Sequence, residues 1–336
     1  MKQIGFKISI IIPCRNEEKY IAKCLDSIIS QDYPKENLEV LVVDGMSEDN
    51  TREIVKKYAE KSLFIKLLDN PKKFTNFAFN IGVKAAKGEI VMIMGAHAGY
   101  EKDYVSKCVK YLKEYNADNV GGIMKTMAKE ETIVAKAIAL SMSHFFGTGG
   151  VRFRTGSKEV MEVDTVFGGC YKREVFNKIG LFNEKLHRSQ DMEFNIRLKR
   201  AGGKIILAPD IVNYYYPKSN FKDFLLHSFD SGFWSIYPSK FTKKPLKLRH
   251  YIPLLFILGI MGTLIFGIFS PPFFTLFLII VCGYLLFNLY FSAGISIKER
   301  EFKYFLILPL VFVIRHFGYG FGSLWGLLNI WKTERK

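Results

Sequence analysis

Residues 8–44, ISIIIPCRNEEKYIAKCLDSIISQDYPKENLEVLVVD, join two β-branched runs through a segment with helical periodicity. The runs at 7–13 and 38–44 predict buried strands, and residues 18–30 predict a helix between them. The same alternation continues along the chain, with further strands predicted at 63–69 and 89–95 and further helices at 48–61 and 76–87. Such alternation is typical of a mainly parallel sheet that is covered by helices on both faces. We therefore predict an α/β fold for this part of the chain.

The C-terminal part of the chain, from residue 251 onward, is far more apolar than the rest. The stretches 251–269 and 273–295 contain no Asp, Glu, Lys or Arg, and each is about 20 residues long, so both are predicted to span a membrane. The Ser-Pro-Pro break at 270–272 predicts the turn of a hairpin. An Arg-His pair at 315–316 and several glycines interrupt a third apolar stretch, 302–330. This stretch is predicted to be a third span or a re-entrant or interfacial segment.

The basic residues predict an orientation in the membrane. Lys and Arg cluster at 240–249 before the first predicted span, at 298–303 after the second, and at 332–336. All three clusters satisfy the positive-inside rule only if the third stretch does not cross. We therefore predict two crossings, with both termini and the soluble domain in the cytoplasm. The alternative is three plain spans, in which residues 315–316 face a helix bundle or a water-filled cavity.

The charge and the cysteines limit the partners and the compartment. The net charge is +16, yet no nucleic-acid motif appears and the densest basic cluster adjoins a predicted span. This placement predicts attraction to membrane lipids or to the diphosphate of a lipid-linked substrate, and no binding of nucleic acid. The five cysteines are scattered, which indicates reduced thiols in the cytoplasm and argues against structural zinc or a disulfide framework.

Polar residues follow three of the predicted strands. They occur at 13–18 after the first strand, at 44–51 after the second, and at 95–97 after the fourth. Turn and cap chemistry explains such residues in part, above all Ser47 and Asp49. Ligands of parallel sheets nevertheless bind beyond the carboxyl ends of the strands. Three polar strand ends at one edge therefore predict a shared ligand.

Four ordered blocks, covering about 210 residues, resemble the family 2 glycosyltransferases. Residues 11–18 (IIPCRNEE) and 38–51 (LEVLVVDGMSEDNT) are similar to the opening of that family, a Pro-x-x-Asn-Glu turn followed by Asp-Asp/Gly-x-Ser-x-Asp-x-Thr. Residues 76–97 (NFAFNIGVKAAKGEIVMIMGAH) resemble its next block, which ends in Asp-x-Asp. Residues 166–203 resemble its acceptor-side block. The sequence VVDGMS, together with a His in the third position of the metal-binding Asp-x-Asp motif, resembles the succinoglycan-biosynthesis-type membrane branch.

The resemblance implies a domain organisation and an activity. It implies a GT-A domain (a Rossmann-like nucleotide-diphospho-sugar transferase) at 1–220. The pattern of the remaining sequence predicts an amphipathic and basic juxtamembrane segment at 221–250 and a membrane region at 251–336. It also implies an inverting, metal-dependent glycosyltransferase, with a nucleotide-diphosphate sugar as donor and a polyprenyl-linked saccharide as acceptor. Such an enzyme would be a multi-pass protein of the cell membrane with a cytoplasmic catalytic domain.

The motif positions imply roles for individual residues. His97 takes the place of the last Asp of Asp-x-Asp, which holds the metal, and imidazole suits Mn²⁺ better than Mg²⁺. Asp191 matches the catalytic base, which must accept the proton of the acceptor hydroxyl. Its usual neighbour Glu is replaced by Gln190. The residues expected at the donor site are Pro13, Asn16, Glu17, Asp44, Asn80, Gly95, Gly168 and Gly169.

Several alternatives remain open from the sequence. Asp191 could cap its helix, the glycine pair at 168–169 could relieve crowding at a strand end, and a lone histidine is often structural. At the level of function, the alternatives are a polyprenyl-phosphate glycosyltransferase and a non-catalytic membrane protein with the GT-A fold. Gly95 and Gln190 favour the non-catalytic alternative, because each replaces a carboxylate of the family pattern. The presence of Asp44, His97 and Asp191 argues against it.

Overall fold

The computed structural model describes residues 5–241 and 247–330, which form two compact units. The first unit comprises residues up to 125 together with 156–215, and the second comprises 126–155 together with the chain from 216 onward. The sequence did not predict that 126–155 would belong with the C-terminal helices. The predicted domain limits at 220 and 250 stay a prediction.

The described residues contain nine strands and thirteen α-helices. The strands are β1 (Ile8–Cys14), β2 (Leu38–Asp44), β3 (Ile65–Asp69), β4 (Ile90–Ile93), β5 (Gly99–Tyr100), β6 (Asn119–Thr126), β7 (Met161–Glu162), β8 (Cys170–Lys172) and β9 (Ile205–Tyr215). The helices are α1 (Ile21–Ile29), α2 (Thr51–Lys61), α3 (Thr75–Ala85), α4 (Tyr104–Glu114), α5 (Ile133–Ser143), α6 (Phe145–Thr148), α7 (Arg152–Thr155), α8 (Glu174–Ile179), α9 (Gln190–Arg200), α10 (Phe221–Ile236), α11 (Leu248–Gly267), α12 (Pro271–Glu299) and α13 (Lys303–Ile330).

The strands form one mixed sheet in the order β3-β2-β1-β4-β8-β6-β9-β5, with β7 paired to β9. The prediction of a mainly parallel sheet is confirmed only for β1 to β4, which pair in parallel. Strand β8 pairs antiparallel with both β4 and β6, and β9 pairs antiparallel with β5 and β7. Antiparallel neighbours need no helical crossover between them, so the repeating strand-helix signal of the sequence ends after β4.

The centre of the first unit is apolar, as the β-branched runs predict. All seven residues of β2 are buried, and all but one residue of β1. Helix α1 adds one apolar face, with Ile21, Leu25 and Ile28 buried at helical spacing. This packing fixes the carboxyl ends of β1, β2 and β4, from which the polar loops emerge.

Three helices in the second unit, α11, α12 and α13, are long and apolar enough to cross a membrane. The break predicted at 270–272 is confirmed, because α11 ends at Gly267 and α12 begins with a proline at its first position. Helix α13 is continuous through residues 315–316. Whether it crosses stays a prediction. Of the basic residues used for the orientation, Lys243, Lys244, Lys332, Arg335 and Lys336 lie outside the described residues.

Helix α10, predicted as an amphipathic helix, packs along the C-terminal half of α13. Gly318, Gly322 and Gly326 of α13 lie against successive turns of α10 around Leu225, Phe229 and Phe233 respectively, so the two helices run in the same direction. A Cβ at Gly322 would lie only 1.9 Å from the carbonyl oxygen of Phe229. The glycines that interrupt the third apolar stretch therefore allow close helix packing.

Candidate active site

The polar strand ends meet at one edge of the sheet, as the sequence predicts. Cys14 at the end of β1 pairs with Asp44 at the end of β2, and Asp44 pairs with Asp69 at the end of β3. Met94, directly after β4, donates its backbone N–H to the carbonyl oxygen of Ile11. The loops that follow β1, β2 and β4 therefore begin side by side.

Asp44 is completely buried and its carboxylate is surrounded by partners from the protein. One oxygen accepts from Arg52 at 2.6 Å and from the backbone N–H of Ser47 at 3.0 Å. The other accepts from the Ser47 hydroxyl at 2.5 Å and from the Cys14 thiol at 3.7 Å. Burial, and then the charge of Asp44, raise the pKa of the Cys14 thiol, so the thiol keeps its proton. In this structure Asp44 organises its own loop.

The loops after β1 and β2 are linked by reciprocal hydrogen bonds. Asn16, in the left-handed region at φ 55°, donates its backbone N–H to the Ser47 hydroxyl and accepts from the backbone N–H of Glu48, both at 2.9 Å. Glu17 donates its backbone N–H to the Thr51 hydroxyl at 2.7 Å. Asparagine tolerates this backbone conformation better than most residues. The two family motifs thus form one hydrogen-bonded structure.

Pro13 fits this edge for a backbone reason. The pairing of β1 with β4 ends at Ile11 and Ile93, so Pro13 lies beyond the last hydrogen bond on that side. The missing N–H of proline leaves no ladder position empty there. Contact between Pro13 and a donor stays a prediction.

His97 lies in the loop after β4, next to Glu17 of the loop after β1. Of these two side chains, His97 is the more exposed. Its Nδ1 lies 3.2 Å from a carboxylate oxygen of Glu17, and 57% of its side chain is exposed, against 21% for Glu17. A histidine that binds metal commonly donates its other ring N–H to a carboxylate, which fixes the ring. This contact leaves Nε2 as the ring atom suited to bind a ligand.

Gly95, at the first position of the metal motif, is supported by Tyr100. Its backbone N–H donates to the Tyr100 hydroxyl at 2.6 Å, and burial raises the pKa of that phenol well above its usual range. A Cβ placed on Gly95 would meet its nearest neighbours, on Ala98 and Tyr100, at 3.8 and 3.9 Å. These are ordinary contact distances, so the position accepts a side chain.

Gly168 and Gly169 connect the approach to β8 with the end of β4. Both have positive φ, 69° and 111°, and a Cβ on Gly168 would lie 2.8 Å from the carbonyl oxygen of Ile93. The carbonyl of Gly169 accepts from the N–H of Ile93 at 3.0 Å. The structure therefore supports the crowding explanation for these glycines. Their contact with a donor stays a prediction.

Asp191 lies in the first turn of α9, one position after the residue where the helix begins. Ser189 is the N-cap residue, so Asp191 is not the cap that the sequence left open as an alternative. Its carboxylate accepts from the backbone N–H of Met192 at 2.8 Å. A carboxylate in the first turn interacts favourably with the helix dipole. Gln190 is buried and donates its side-chain amide to the carbonyl of His187.

Residues that the sequence did not single out fix α9 beside β8. Asn195 of α9 accepts from the side-chain amide of Asn119 at 3.0 Å and from the Tyr171 hydroxyl at 3.4 Å. The same hydroxyl lies 3.3 Å from the carbonyl oxygen of Gly168. Burial, and then the charge of Asp191, raise the pKa of Tyr171. Since β8 also pairs with β4, the helix that carries Asp191 and the strand that precedes His97 share one neighbour.

Asn80 has a different environment from the other predicted donor residues. It is buried, and its amide donates to the carbonyl oxygen of Phe182 and to the carboxylate of Glu184, both at 2.9 Å. Its oxygen accepts from the N–H of Phe182 at 3.0 Å. These bonds fix the loop that leads towards α9. A direct contact between Asn80 and a donor stays a prediction, which this burial does not favour.

Two of these structural residues could not be recognised from their own neighbourhood in the sequence. Arg52 bridges Asp44 and Asp69, with a distance of 2.7 Å to the latter. Tyr171 bridges Gly168 and α9. Both act through side-chain contacts that form only in the folded loops, and a single sequence carries no signal for such pairs.

Comparison with known proteins agrees with this architecture. The model for "Glycosyl transferase family 2" matches residues 9–180. The dolichyl N-acetyl-alpha-D-glucosaminyl phosphate 3-beta-D-2,3-diacetamido-2,3-dideoxy-beta-D-glucuronosyltransferase of Methanococcus voltae is 33% identical over 96% of this chain and 97% of its own. The succinoglycan biosynthesis protein ExoA of Rhizobium meliloti is 29% identical over 62% of this chain and 63% of its own.

A solved structure supports the fold. The mannosyltransferase PcManGT from Pyrobaculum calidifontis, in complex with GDP-Man and Mn²⁺, superposes with a TM-score of 0.61 at 19% identity, over 96% of this chain and 88% of its own. This similarity confirms the predicted GT-A fold. The family match and the full-length relative confirm the resemblance to family 2, including its succinoglycan-type branch. The chain belongs to glycosyl transferase family 2, and it is a glycosyltransferase with C-terminal helices suited to a membrane.

Proposed function

We propose that this protein is an inverting, metal-dependent glycosyltransferase that moves a sugar from a nucleotide-diphosphate sugar to a polyprenyl-linked saccharide at the cytoplasmic face of the cell membrane. The observation that carries the proposal is the match to the M. voltae enzyme, whose name gives a dolichyl-linked sugar phosphate as acceptor. That match extends over 96% of this chain, so it includes the apolar helices as well as the sheet.

His97 fits one ligand position of a divalent cation that would also bind the donor diphosphate, because its side chain is 57% exposed and only its Nδ1 lies against Glu17. Within the described residues, no group of three or more His, Cys, Asp and Glu could hold a metal. His97 would therefore supply one ligand, and the remaining ligands would come from the donor and from water. The related mannosyltransferase is in complex with GDP-Man and Mn²⁺, and imidazole favours Mn²⁺ over Mg²⁺. When bound, such an ion would offset the negative charge that builds up on the departing diphosphate.

Asp191 is proposed as the general base. Inversion at the anomeric carbon requires the acceptor hydroxyl to attack opposite the leaving diphosphate and to lose its proton as the new bond forms. Asp191 is partly exposed in the first turn of α9. Its helix is held by Arg197, which donates to the Glu193 carboxylate at 2.7 Å and to the Leu181 carbonyl at 2.7 Å. A fixed helix keeps the carboxylate in place for proton transfer.

We propose two membrane crossings, by α11 and α12, with α13 remaining at the cytoplasmic interface. The C-terminal half of α13 is accompanied along its length by α10, which carries Lys222, Asp223 and Asp230. If that half of α13 crossed the bilayer, α10 would bring these charges to bilayer depth, which is costly. The packing therefore supports an interfacial α13, and with it the cytoplasmic orientation expected from the basic clusters.

The test is sugar transfer by the full-length protein in lipid nanodiscs. A panel of UDP- and GDP-sugars is offered with Mn²⁺ or with a chelator, and with either a polyprenyl-linked saccharide extract or bare polyprenyl phosphate. We expect one donor to release nucleoside diphosphate only with metal and saccharide acceptor, and to give a product of inverted anomeric configuration. Transfer to bare polyprenyl phosphate alone would instead favour the polyprenyl-phosphate alternative.

Asp191→Asn is the matching variant. We expect it to lower kcat at least about 100-fold, because a general base contributes about 10² to 10⁴ in rate, while the KM for the donor changes little. Glu53→Gln, which also neutralises a carboxylate in the first turn of a helix, is the control and should keep wild-type kcat. An Asp191→Asn enzyme with wild-type kcat would remove Asp191 from the proposed role.

A further inference from the structure

A cavity of about 430 Å³ lies entirely within the second unit. Residues 145–149, Val151 and Arg154, which follow α5, form part of its wall, and the first turns of α11, the middle of α12 and the middle of α13 form the rest. Its size falls in the range of about 300–1,000 Å³ that is common for small-molecule sites. Neither the sheet edge nor any predicted donor-site residue contributes to it.

The lining of this cavity is strongly basic. Arg154, Arg249 and Arg315 line it together with His250 and His316, and none of its described lining residues is Asp or Glu. Arginine keeps its charge at any physiological pH. Three arginines therefore line a space whose other walls are mostly aromatic and aliphatic. A cluster of arginines without a lining carboxylate favours an anionic ligand, above all one with phosphate oxygens.

Two of these basic side chains are fixed by the protein. Arg315 donates from Nε to the carbonyl oxygen of Gly147 at 3.2 Å, and its guanidinium lies 5.0 Å from the centre of the Tyr319 ring. His316 is placed to donate from Nε2 to the carbonyl oxygen of Phe146 at 2.8 Å and to accept at Nδ1 from the Tyr284 hydroxyl at 3.0 Å. The pair that interrupts the third apolar stretch thus faces protein and cavity.

The apolar part of the wall comes from helices that suit a membrane. Ile252, Pro253 and Phe256 of α11 and Tyr284 of α12 line it, and the rings of Phe256 and Tyr284 lie 4.9 Å apart. Both helices are long and apolar enough to span a bilayer. The cavity therefore offers cationic groups for an anion and an apolar surface for a hydrocarbon chain.

We infer that this cavity binds the phosphate ester of an isoprenoid lipid. Arg154, Arg249 and Arg315 receive the phosphate, because guanidinium groups pair with phosphate through charge-assisted, often bidentate hydrogen bonds. The wall of α11 and α12 contacts the first isoprene units. The identification of this lipid as the acceptor rests on the proposed function. The phosphate-ester chemistry is shared with anionic membrane phospholipids, so the test has to separate the two sources.

The test is binding of farnesyl phosphate to the full-length protein in a neutral detergent, measured by native mass spectrometry. The variants are Arg154→Gln, Arg249→Gln and their combination. The control is Arg152→Gln, since Arg152 shares helix α7 with Arg154, is exposed and does not line the cavity. We expect the double variant to lose at least about tenfold in affinity, each single variant to lose about threefold, and Arg152→Gln to stay within about twofold of wild type. Equal affinity of wild type and double variant would overturn the inference.

Three further arms identify the ligand chemistry. Farnesol, which lacks the phosphate, should bind weakly and equally to all variants, and inorganic phosphate, which lacks the chain, should bind more weakly than farnesyl phosphate. Phosphatidylglycerol at tenfold excess should not displace farnesyl phosphate. If it does, the occupant is bulk anionic lipid and the assignment to an isoprenoid lipid fails. Melting temperatures show whether each variant is folded. If the double variant does not fold, the expected threefold losses of the single variants provide the test.

A transfer assay separates this inference from the proposed function. Loss of farnesyl phosphate binding in the arginine variants, in a protein whose wild type transfers no sugar, would refute the proposed function and leave the cavity assignment standing. Transfer by the double variant with a wild-type KM for the lipid acceptor would refute the cavity assignment and leave the proposed function standing.

Discussion

The loops that follow β2 and β4 leave the same edge of the sheet, yet they differ in how many hydrogen bonds their polar side chains make within the protein. After β2, Asp44 is completely buried and accepts hydrogen bonds on both oxygens, with Arg52 at 2.6 Å as its cation. After β4, the His97 side chain is 57% exposed, and its Nδ1 lies 3.2 Å from one carboxylate, that of Glu17. A polar residue whose bonds are satisfied internally serves the fold, whereas one that keeps an open atom is suited to a ligand.

Glu17 connects the two loops. Its backbone N–H donates to the Thr51 hydroxyl, where the loop after β2 enters α2, and its side chain lies against His97 in the loop after β4. The hydrogen-bonded structure after β1 and β2 therefore fixes Glu17, and the Glu17 carboxylate lies where it can orient the exposed His97 ring. This division of roles predicts that substitutions after β2 act mainly on stability, and that substitutions near His97 act mainly on metal binding.

The largest effect on the fold is expected for Arg52→Leu. Removing this guanidinium leaves the buried Asp44 carboxylate without its cation, and breaking a buried ion pair from one side costs about 3–5 kcal/mol. We expect the free energy of unfolding to fall by about 3 kcal/mol, the lower end of this range, because Arg52 is itself 25% exposed. Hydrogen exchange of the β1 to β3 amides in the full-length protein should then be about 100-fold faster.

Lys56→Leu is the control for this substitution. Lys56 lies on the same helix and pairs with Glu53 at 2.7 Å, but both side chains are more than half exposed, and exposed pairs contribute little. Its exchange rates should match the wild type. If Arg52→Leu also exchanges at the wild-type rate, the loop after β2 is not held by its buried ion pair.

A smaller effect, on metal affinity, is expected for Glu17→Ala. This change removes the carboxylate that orients His97, and loss of such an orienting partner costs about 10- to 100-fold in metal affinity. Glu17→Gln keeps an oxygen that can accept from Nδ1 at a similar position. If Glu17 acts by orienting the ring, the Gln variant should recover most of the Mn²⁺ affinity; if it ligates the metal directly, the Gln variant should resemble the Ala variant.

The smallest effect is expected for Gly95→Asp. The site has room for a Cβ, whose nearest neighbours would lie at 3.8 and 3.9 Å, so stability should hardly change. We expect the added carboxylate to raise Mn²⁺ affinity about threefold in the presence of nucleoside diphosphate, since carboxylate oxygens are favourable ligands for this ion. Gly95→Asn has the same size without the charge and should leave the affinity unchanged. Equal affinities for the Asp and Asn variants would mean that position 95 does not face the cation.

Much of the fold could be predicted because its signals are local. The periods of β1, β2 and α1, the break at 270–272 and the apolar stretches all lie within short segments of the sequence. The antiparallel half of the sheet could not be predicted, since β8 has only three residues and pairs with strands that are far away in the chain. Likewise, nothing local to 126–155 indicates that this segment belongs with the C-terminal helices.

The positions of the candidate site residues could be predicted, but their hydrogen bonding could not. Because Asp44 and His97 follow neighbouring strands, the sequence alone predicts that they lie at one edge of the sheet. Their division into a saturated and an open residue depends on Arg52, Ser47 and Glu17, whose positions follow only from the folded loops. The basic cavity of the second unit brings together Arg154, Arg249 and Arg315. These residues are far apart in the sequence, and no sequence motif connects them.

We propose that His97 provides the protein's own metal ligand, whereas the loop after β2 serves the fold. The decisive experiment is Mn²⁺ binding to the full-length protein with nucleoside diphosphate present, measured by electron paramagnetic resonance. His97→Ala is compared with wild type and with His227→Ala, a histidine of α10. We expect His97→Ala to weaken Mn²⁺ binding at least about tenfold and His227→Ala to leave it unchanged. Equal Mn²⁺ affinity in wild type and His97→Ala would contradict the claim.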